Sequence, residues 1–248
     1  MRAPFQQAST TARSVTVEFI WFQSESIDVI CRIIFARLSE RLGQGFAVEN
    51  RPGAAGTIAA QAVARAPADG YTLLYDATAH SVNPSLFGTR LPYDTRRELL
   101  PVFLAMVTPN TLMATNGFGP KTVPELIAHA KANPGTLDCA STGIGTVQHV
   151  SLELLNHRAG IPGFAETLPG FETWEWNGVF APAGTPAEAI ARLNAELNAT
   201  IRDATVAERL GGLGALTRAN TVEEFAAFRE QQIGFFAEMV QMANIRID

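Results

Sequence analysis

The sequence predicts an α/β fold whose first hundred or so residues form a parallel sheet. Segments rich in β-branched and aromatic residues alternate with segments of helical periodicity, first at 15–22 and 27–42. A strand, a loop of small residues, a short helix and a second strand then follow within 48–74. Apolar residues make up 47% of the 248 residues and charged ones only 17%, which is typical of a packed core. This alternation favours parallel strands joined by right-handed crossovers.

The individual elements can be placed in order. The predicted strands and helices are a strand at 15–22, a helix at 27–42 that ends at Gly43, a strand at 46–49, a helix at 59–66 that Pro67 stops, a strand at 72–75 and a buried strand at 99–107. Cys31 shares one helical face with apolar residues, and Cys139 lies in a predicted buried strand at 137–140. Both cysteines are therefore interpreted as structural thiols.

Three later helices have a predicted start at a threonine. Each threonine is followed three residues later by a glutamate, as in a capping box, where the two residues satisfy each other's free backbone N–H groups. The pairs are Thr122 with Glu125, Thr185 with Glu188 and Thr221 with Glu224. Pro186 also suits the first position of a helix.

Composition argues against several classes of protein. The net charge is −5 and no basic cluster is present, so nucleic-acid binding is not expected. No apolar run has the length of a transmembrane helix, and residues 1–14 lack the apolar core of a signal peptide. The four histidines are scattered, which argues against a metal site. The sequence lacks the hydrolase nucleophile motif G-x-S-x-G, a phosphate-binding P-loop lysine after Gly56 and the dinucleotide-binding motif G-x-G-x-x-G. Neither an enzyme nor a cofactor is therefore predicted.

The stretch at 48–74 resembles the signature of the tripartite tricarboxylate transporter substrate-binding proteins, the Bug-type receptors. Similar motifs recur at 83–94, 128–135 and 178–186. The resemblance runs from about Val15 to the C-terminus. It implies a small carboxylate ligand, membrane transporter subunits as partners, a periplasmic location and no catalysis.

The resemblance also implies a two-lobed periplasmic-binding-protein-like fold, here with a truncated second lobe. Lobe one would comprise 13–104, a reduced lobe two would comprise 105–177, and 178–248 would return to lobe one and add the C-terminal helices. The strands at 100–106 and 174–180 would cross between the lobes. Similar receptors have further strands and helices after the position of Gly160, where this chain continues directly with Ile161.

Three loops are candidates for ligand binding. The loop at 141–146 precedes a helix, whose N-terminal N–H groups would suit a carboxylate, although a tight turn with an N-cap would also explain these residues. The loop at 76–81 offers hydroxyl donors. The loop at 23–28 has lost the two glycines of the family and contains Glu25, which would repel a carboxylate. The candidate ligand-binding residues are Ser24, Ser26, Asp28, Thr78, Ser81, Ser141, Thr142, Gly143, Gly145 and Thr146.

Several functions are compatible with these patterns. The first is a solute receptor that binds a small organic acid for a tripartite tricarboxylate-type transporter. The second is a truncated paralogue that binds weakly or not at all. An α/β enzyme and a regulator with a similar effector domain are less well supported, because the catalytic motifs are absent and no DNA-binding helix pair precedes the first strand.

Overall fold

The computed structural model describes residues 15–19, 25–141, 146–159 and 173–245. Its elements are β1 (Val15–Phe19), α1 (Glu25–Leu42), β2 (Phe46–Asn50), α2 (Thr57–Ala64), β3 (Thr72–Ala77), α3 (Ala79–Phe87), β4 (Leu99–Pro109), α4 (Val123–Ala132), α5 (Val147–Ala159), β5 (Trp174–Pro182), α6 (Ala187–Ile201), α7 (Ala204–Gly212) and α8 (Val222–Met242). Each element predicted within 25–107 is present, with both of its ends within two residues of the prediction.

Five strands form one mixed sheet in the order β2-β1-β3-β5-β4. The strands β2, β1 and β3 are parallel, as the alternation of strands and helices predicts. β5 is antiparallel to both of its neighbours, so β4 points in the same direction as β3. The carboxyl ends of β1, β2, β3 and β4 therefore lie at one edge of the sheet, together with the first residues of β5.

Both faces of the sheet are buried. Along β3, Leu73 and Tyr75 pack with α1 and α6, whereas Leu74 packs with α2 and α8 on the other face. This division follows from the alternation of side chains along a strand. Cys31 of α1 is fully buried in the first cluster, which confirms its interpretation as a core thiol.

A glycine allows close packing at the centre of the second cluster. A Cβ atom at Gly178 of β5 would lie 2.3 Å from Cζ of Phe225 on α8. Phe225 is fully buried and packs against Phe180 with ring centroids 5.1 Å apart. The aromatic ring thus occupies the space that a side chain at Gly178 would need.

Between Pro109 and Trp174, the described residues form two helices and no strand. α5 packs through Val150 and Leu154 against α3 and α8, while Leu155 faces α4. The predicted strand at 137–140 is wrong, and Cys139 is exposed rather than buried. The physical reason is that no described strand lies beside this segment to pair with it. The division into lobes at 105 and 177 stays a prediction.

The three predicted capping boxes differ in outcome. Thr221 and Glu224 form the complete box, with bonds of 3.1 and 2.8 Å. Thr122 caps α4 by accepting from the N–H of Glu125, but the Glu125 carboxylate accepts from Lys121 instead of Thr122.

The prediction at Thr185 is wrong. Its hydroxyl donates to the carbonyl of Pro182 at 2.8 Å, and Pro186 is the N-cap of α6. The chain turns sharply at Gly184, where φ is +87°, so the threonine side chain faces back towards β5.

Candidate functional site

The candidate site is a cavity of about 280 Å³ at the carboxyl edge of the sheet. Its wall includes Ala77 at the end of β3 and Thr108 near the end of β4. The first turns of α1, α3 and α5 also line it, through Ile27, Ala79 and Gln148 respectively, as do Leu213 and Ala215 after α7. Ligands of α/β proteins commonly bind at this edge, where helix N-termini present a positive dipole end.

Glu175, at the start of β5, is the one charged side chain that lines this cavity among the described residues. Its Oε1 accepts hydrogen bonds from the hydroxyl of Thr78 at 3.1 Å and from the N–H of Thr78 at 3.4 Å. Its Oε2 accepts from the amide of Gln148 at 3.4 Å. A carboxylate of the protein itself therefore occupies the N-terminal end of α3.

Burial controls the ionisation of Glu175. Loss of solvation raises the pKa of its carboxyl to about 7, and the negative charge of Asp76 acts in the same direction. The hydrogen bonds from Thr78 and Gln148 lower the pKa but do not reverse the shift. Glu175 consequently changes its charge close to neutral pH.

A chain of hydrogen bonds between side chains links α5 to the end of β4 and the start of β5. Besides its bond to Glu175, the Gln148 amide donates to Oδ1 of Asn110 at 3.5 Å. The Asn110 amide in turn donates to the hydroxyl of Thr173 at 3.1 Å. These bonds fix the N-terminal turn of α5 against the sheet edge and give the cavity one polar side in an otherwise largely apolar wall.

Beneath the cavity lies a buried pair. Nδ1 of His80 is 2.9 Å from Oδ2 of Asp76, and both side chains are fully buried. The ring of His80 stacks on Phe180, with centroids 4.0 Å apart. Burial raises the pKa of Asp76, while the bond to His80 lowers it. The pair is enclosed by the core and does not line the cavity.

The predicted loop at 141–146 lies partly within the described residues. Thr146 is buried, lines the cavity and accepts the N–H of His149 at 3.3 Å, as an N-cap does. Ser141 is exposed and lies outside the cavity wall. Thr142, Gly143 and Gly145 lie outside the described residues.

Three further predicted site residues, Thr78, Ser81 and Asp28, do not line the cavity. The Thr78 hydroxyl donates to Glu175 and accepts from the N–H of Trp176 at 2.9 Å. Ser81 is fully buried within α3. Asp28 binds Arg32 within α1 at 2.8 Å. Ser24 and the side chain of Ser26 lie outside the described part of the chain.

The small-residue loop at 53–56 packs on α3 and not on the cavity. Ala54 and Ala55 have φ values of +47° and +52°, a conformation that non-glycine residues rarely adopt. The side chain of Asn83 donates to the carbonyl of Ala55 at 2.9 Å. The loop therefore braces α3, whose first turn faces the cavity.

Glu175, Gln148 and Asn110 were not among the predicted site residues. A sequence signal exists for Glu175, because it is an acid inside the strand segment Trp174–Pro182, whose residues are otherwise apolar or small apart from Asn177. Gln148 and Asn110 carry no such signal.

Among the described residues, no group of acids, histidines and cysteines could hold a metal ion. No described helix has both the length and the apolar character needed to cross a bilayer.

Comparison with known proteins identifies the family. A family model described as "Tripartite tricarboxylate transporter family receptor" matches residues 30–165. A protein from Pseudomonas sp. strain P51, encoded between tcbD and tcbE, is 32% identical over 81% of this chain and 77% of its own length. The chain belongs to this family. Its members are solute-binding receptors and not enzymes.

Solved structures of the tripartite tricarboxylate receptor type share the fold. A protein from R. palustris, solved with adipate, superposes with a TM-score of 0.85 and 25% identity over 96% of this chain and 99% of its own. MatC from Rhodopseudomonas palustris, solved with malate, has a TM-score of 0.80 and 26% identity over 92% and 98% of the two chains. These neighbours confirm the periplasmic-binding-protein type of fold.

The alignment with the Pseudomonas relative also shows a difference in length between the two chains. It spans 261 positions, more than the 248 residues of the whole chain, although only 81% of this chain takes part. The relative therefore has residues without a counterpart here. The alignment does not locate them, so a deletion after Gly160 stays a prediction.

Proposed function

We propose that this protein is a solute receptor that binds a small organic acid in the cavity between α1, α3 and α5. One observation carries the proposal: a cavity with both apolar and hydrogen-bonding groups at the carboxyl edge of the sheet, lined in part by the first turns of three helices, in a chain of the receptor family. A carboxylate is favoured beside helix N-termini because their exposed N–H groups and dipole are positive. The volume of about 280 Å³ suits a ligand of a few carbon atoms.

The ligand class is supported by the structural neighbours. One was solved with adipate and the other with malate, and both ligands are dicarboxylic acids. The cavity offers hydrogen-bonding groups from Thr108 and Asn110 that could hold a carboxylate without a basic residue. The predicted ligand contacts of the loop at 141–146 belong to this proposal, since Thr146 lies in the same wall.

Delivery to a membrane transporter and a periplasmic location complete the proposal. Both follow from the family, whose receptors serve tripartite transporters. A pull-down of the membrane subunits with the ligand-loaded protein would test the first, and fractionation of cells that express the native gene would test the second.

A second candidate function is a paralogue that binds dicarboxylic acids weakly or not at all. Two observations favour it: the segment between β4 and β5 contributes only two described helices, and the relative has residues that this chain lacks. Loss of two charged hydrogen bonds, each worth roughly 1.5–3 kcal/mol, would weaken binding by about two to four powers of ten. Micromolar binding of a plain dicarboxylic acid by the unmodified chain would exclude this candidate.

Titration calorimetry with adipate and malate distinguishes the two candidates. Ala79→Leu adds bulk to the cavity wall at the first turn of α3, and we expect it to weaken any observed binding at least tenfold. Ala207→Leu makes the same change on the exposed surface of α7 and is the matched control. Equal affinities in all three proteins would place the ligand outside this cavity.

A further inference from the structure

Glu175 gives the cavity a feature that a plain receptor for dicarboxylates does not need. It is the one charged group of the described cavity wall, and its charge is negative. The described wall contains no lysine, arginine or histidine to balance it. A second carboxylate of a ligand would thus meet a like charge in a partly dry space, where the repulsion is weakly screened.

The hydrogen bonds of Glu175 leave room for a further donor. Oε1 accepts from both donors of Thr78, whereas Oε2 accepts only the 3.4 Å bond from Gln148 among the described residues. A carboxylate oxygen has two lone pairs and can accept a second bond. A cationic donor group of the ligand would therefore complete the coordination of Oε2 and balance the charge.

We propose that Glu175 determines specificity, so that the cavity selects organic acids that also carry an ammonium group over plain dicarboxylic acids. This inference rests on the proposed function and refines its ligand class. The acid group of such a ligand would lie towards the N-terminal turn of α5, where Thr146 and Gln148 line the wall, and its ammonium group would bind Glu175.

The neighbouring charges do not offset that of Glu175. From β3, Asp76 adds negative charge, and its partner His80 on α3 is bound to it at 2.9 Å. Burial raises the pKa of the Tyr75 hydroxyl on β3, and the charge of Glu175 adds to this shift. On α1, the carboxylate of Asp28 is paired with Arg32. Gln148 of α5 is uncharged, so no described cation faces the carboxylate directly.

The inference has a consequence for the pH dependence of binding. Because burial raises the pKa of Glu175 to about 7, its carboxyl is mostly charged at pH 8 and mostly neutral at pH 6. A dicarboxylate that binds only the neutral form gains about tenfold in affinity over this range. A ligand with an ammonium group loses affinity over the same range.

Calorimetry with a matched pair of ligands tests the inference. Adipate and 5-aminopentanoate have the same four methylene groups and differ only at one end. We expect 5-aminopentanoate to bind at least tenfold more tightly at pH 8, and adipate to gain about tenfold at pH 6. Glu175→Gln should reduce the preference to less than about threefold and remove the pH effect. Glu208→Gln, on the exposed surface of α7, is the matched control and should behave as the unmodified protein.

The outcomes separate the two proposals. If adipate binds at pH 8 as tightly as 5-aminopentanoate, and Glu175→Gln changes neither affinity, the role of Glu175 is refuted while the receptor function stands. If neither ligand binds any of the proteins at either pH, the proposed function fails together with the inference. The pH dependence of the unmodified protein gives an answer even if Glu175→Gln does not fold.

Discussion

Glu175→Gln is expected to change how the stability of the protein depends on pH. The folded protein raises the pKa of this carboxyl from an ordinary 4.5 to about 7, chiefly through burial. Each pKa unit corresponds to about 1.4 kcal/mol, so the charged form of Glu175 destabilises the fold by up to about 3 kcal/mol. Glutamine has no charge to bury, and its amide oxygen can still accept the bonds from Thr78.

The direction follows from proton binding. Between pH 4.5 and 7 the folded state binds more protons at this site than the unfolded state, so stability falls as the pH rises. The destabilisation of the fold by charged Glu175 reaches its full size above pH 7 and is absent below pH 4.5. The variant should therefore match the unmodified protein near pH 4.5 and exceed its stability at pH 8.

Urea unfolding, followed by tryptophan fluorescence between pH 4.5 and 8, measures this difference. Other titrating groups are common to both proteins and cancel when the two curves are subtracted. A gain of 3 kcal/mol at pH 8 corresponds to a rise in Tm of roughly 6–12 °C. Glu208→Gln controls for the loss of one surface charge. Parallel curves for the unmodified protein and Glu175→Gln would refute the argument, because they would mean that Glu175 titrates as in the unfolded chain.

Two further predictions concern the core and a helix start. Gly178→Ala places a Cβ atom 2.3 Å from the ring of Phe225 and should cost about 1–3 kcal/mol of unfolding free energy. Gly211→Ala in α7 is the control, because its Cβ atom meets open space, and it should stabilise the fold by about 0.5–1 kcal/mol. Equal effects of the two substitutions in thermal unfolding would contradict the close packing at β5. Thr221→Ala removes the bond that caps α8 through Glu224 and should cost about 1 kcal/mol in urea unfolding, and Thr221→Ser, which keeps the hydroxyl, should retain most of that stability.

Two predictions that depend on a local pattern are confirmed. The burial of Cys31 follows from its helical face alone, and the capping box at Thr221 depends on residues three positions apart. Predictions that depend on distant partners are less secure. The strand around Cys139 needed a neighbouring strand that the described chain does not supply. The cap at Thr185 fails for a local reason, because the turn at Gly184 directs the hydroxyl of Thr185 to Pro182.

The candidate site shows the same limit. Glu175 accepts a hydrogen bond from Thr78, which lies 97 positions earlier in the chain, and no short-range sequence pattern links the two residues. The sequence identified one wall of the cavity at Thr146 because a helix N-terminus has a local signature. The opposite wall became visible only when β5 was placed between β3 and β4.

The pairing of β4 with β5 has a consequence for the size of the protein. Pro109 and Trp174 are cross-strand partners, so the chain leaves the sheet and returns to it at adjacent points. The entropy of closing a loop changes only slowly with its length. Residues between these two points can consequently be lost or gained without altering the register of any strand. Evolution can thus change the length of the segment between β4 and β5 while the sheet keeps its strand pairing.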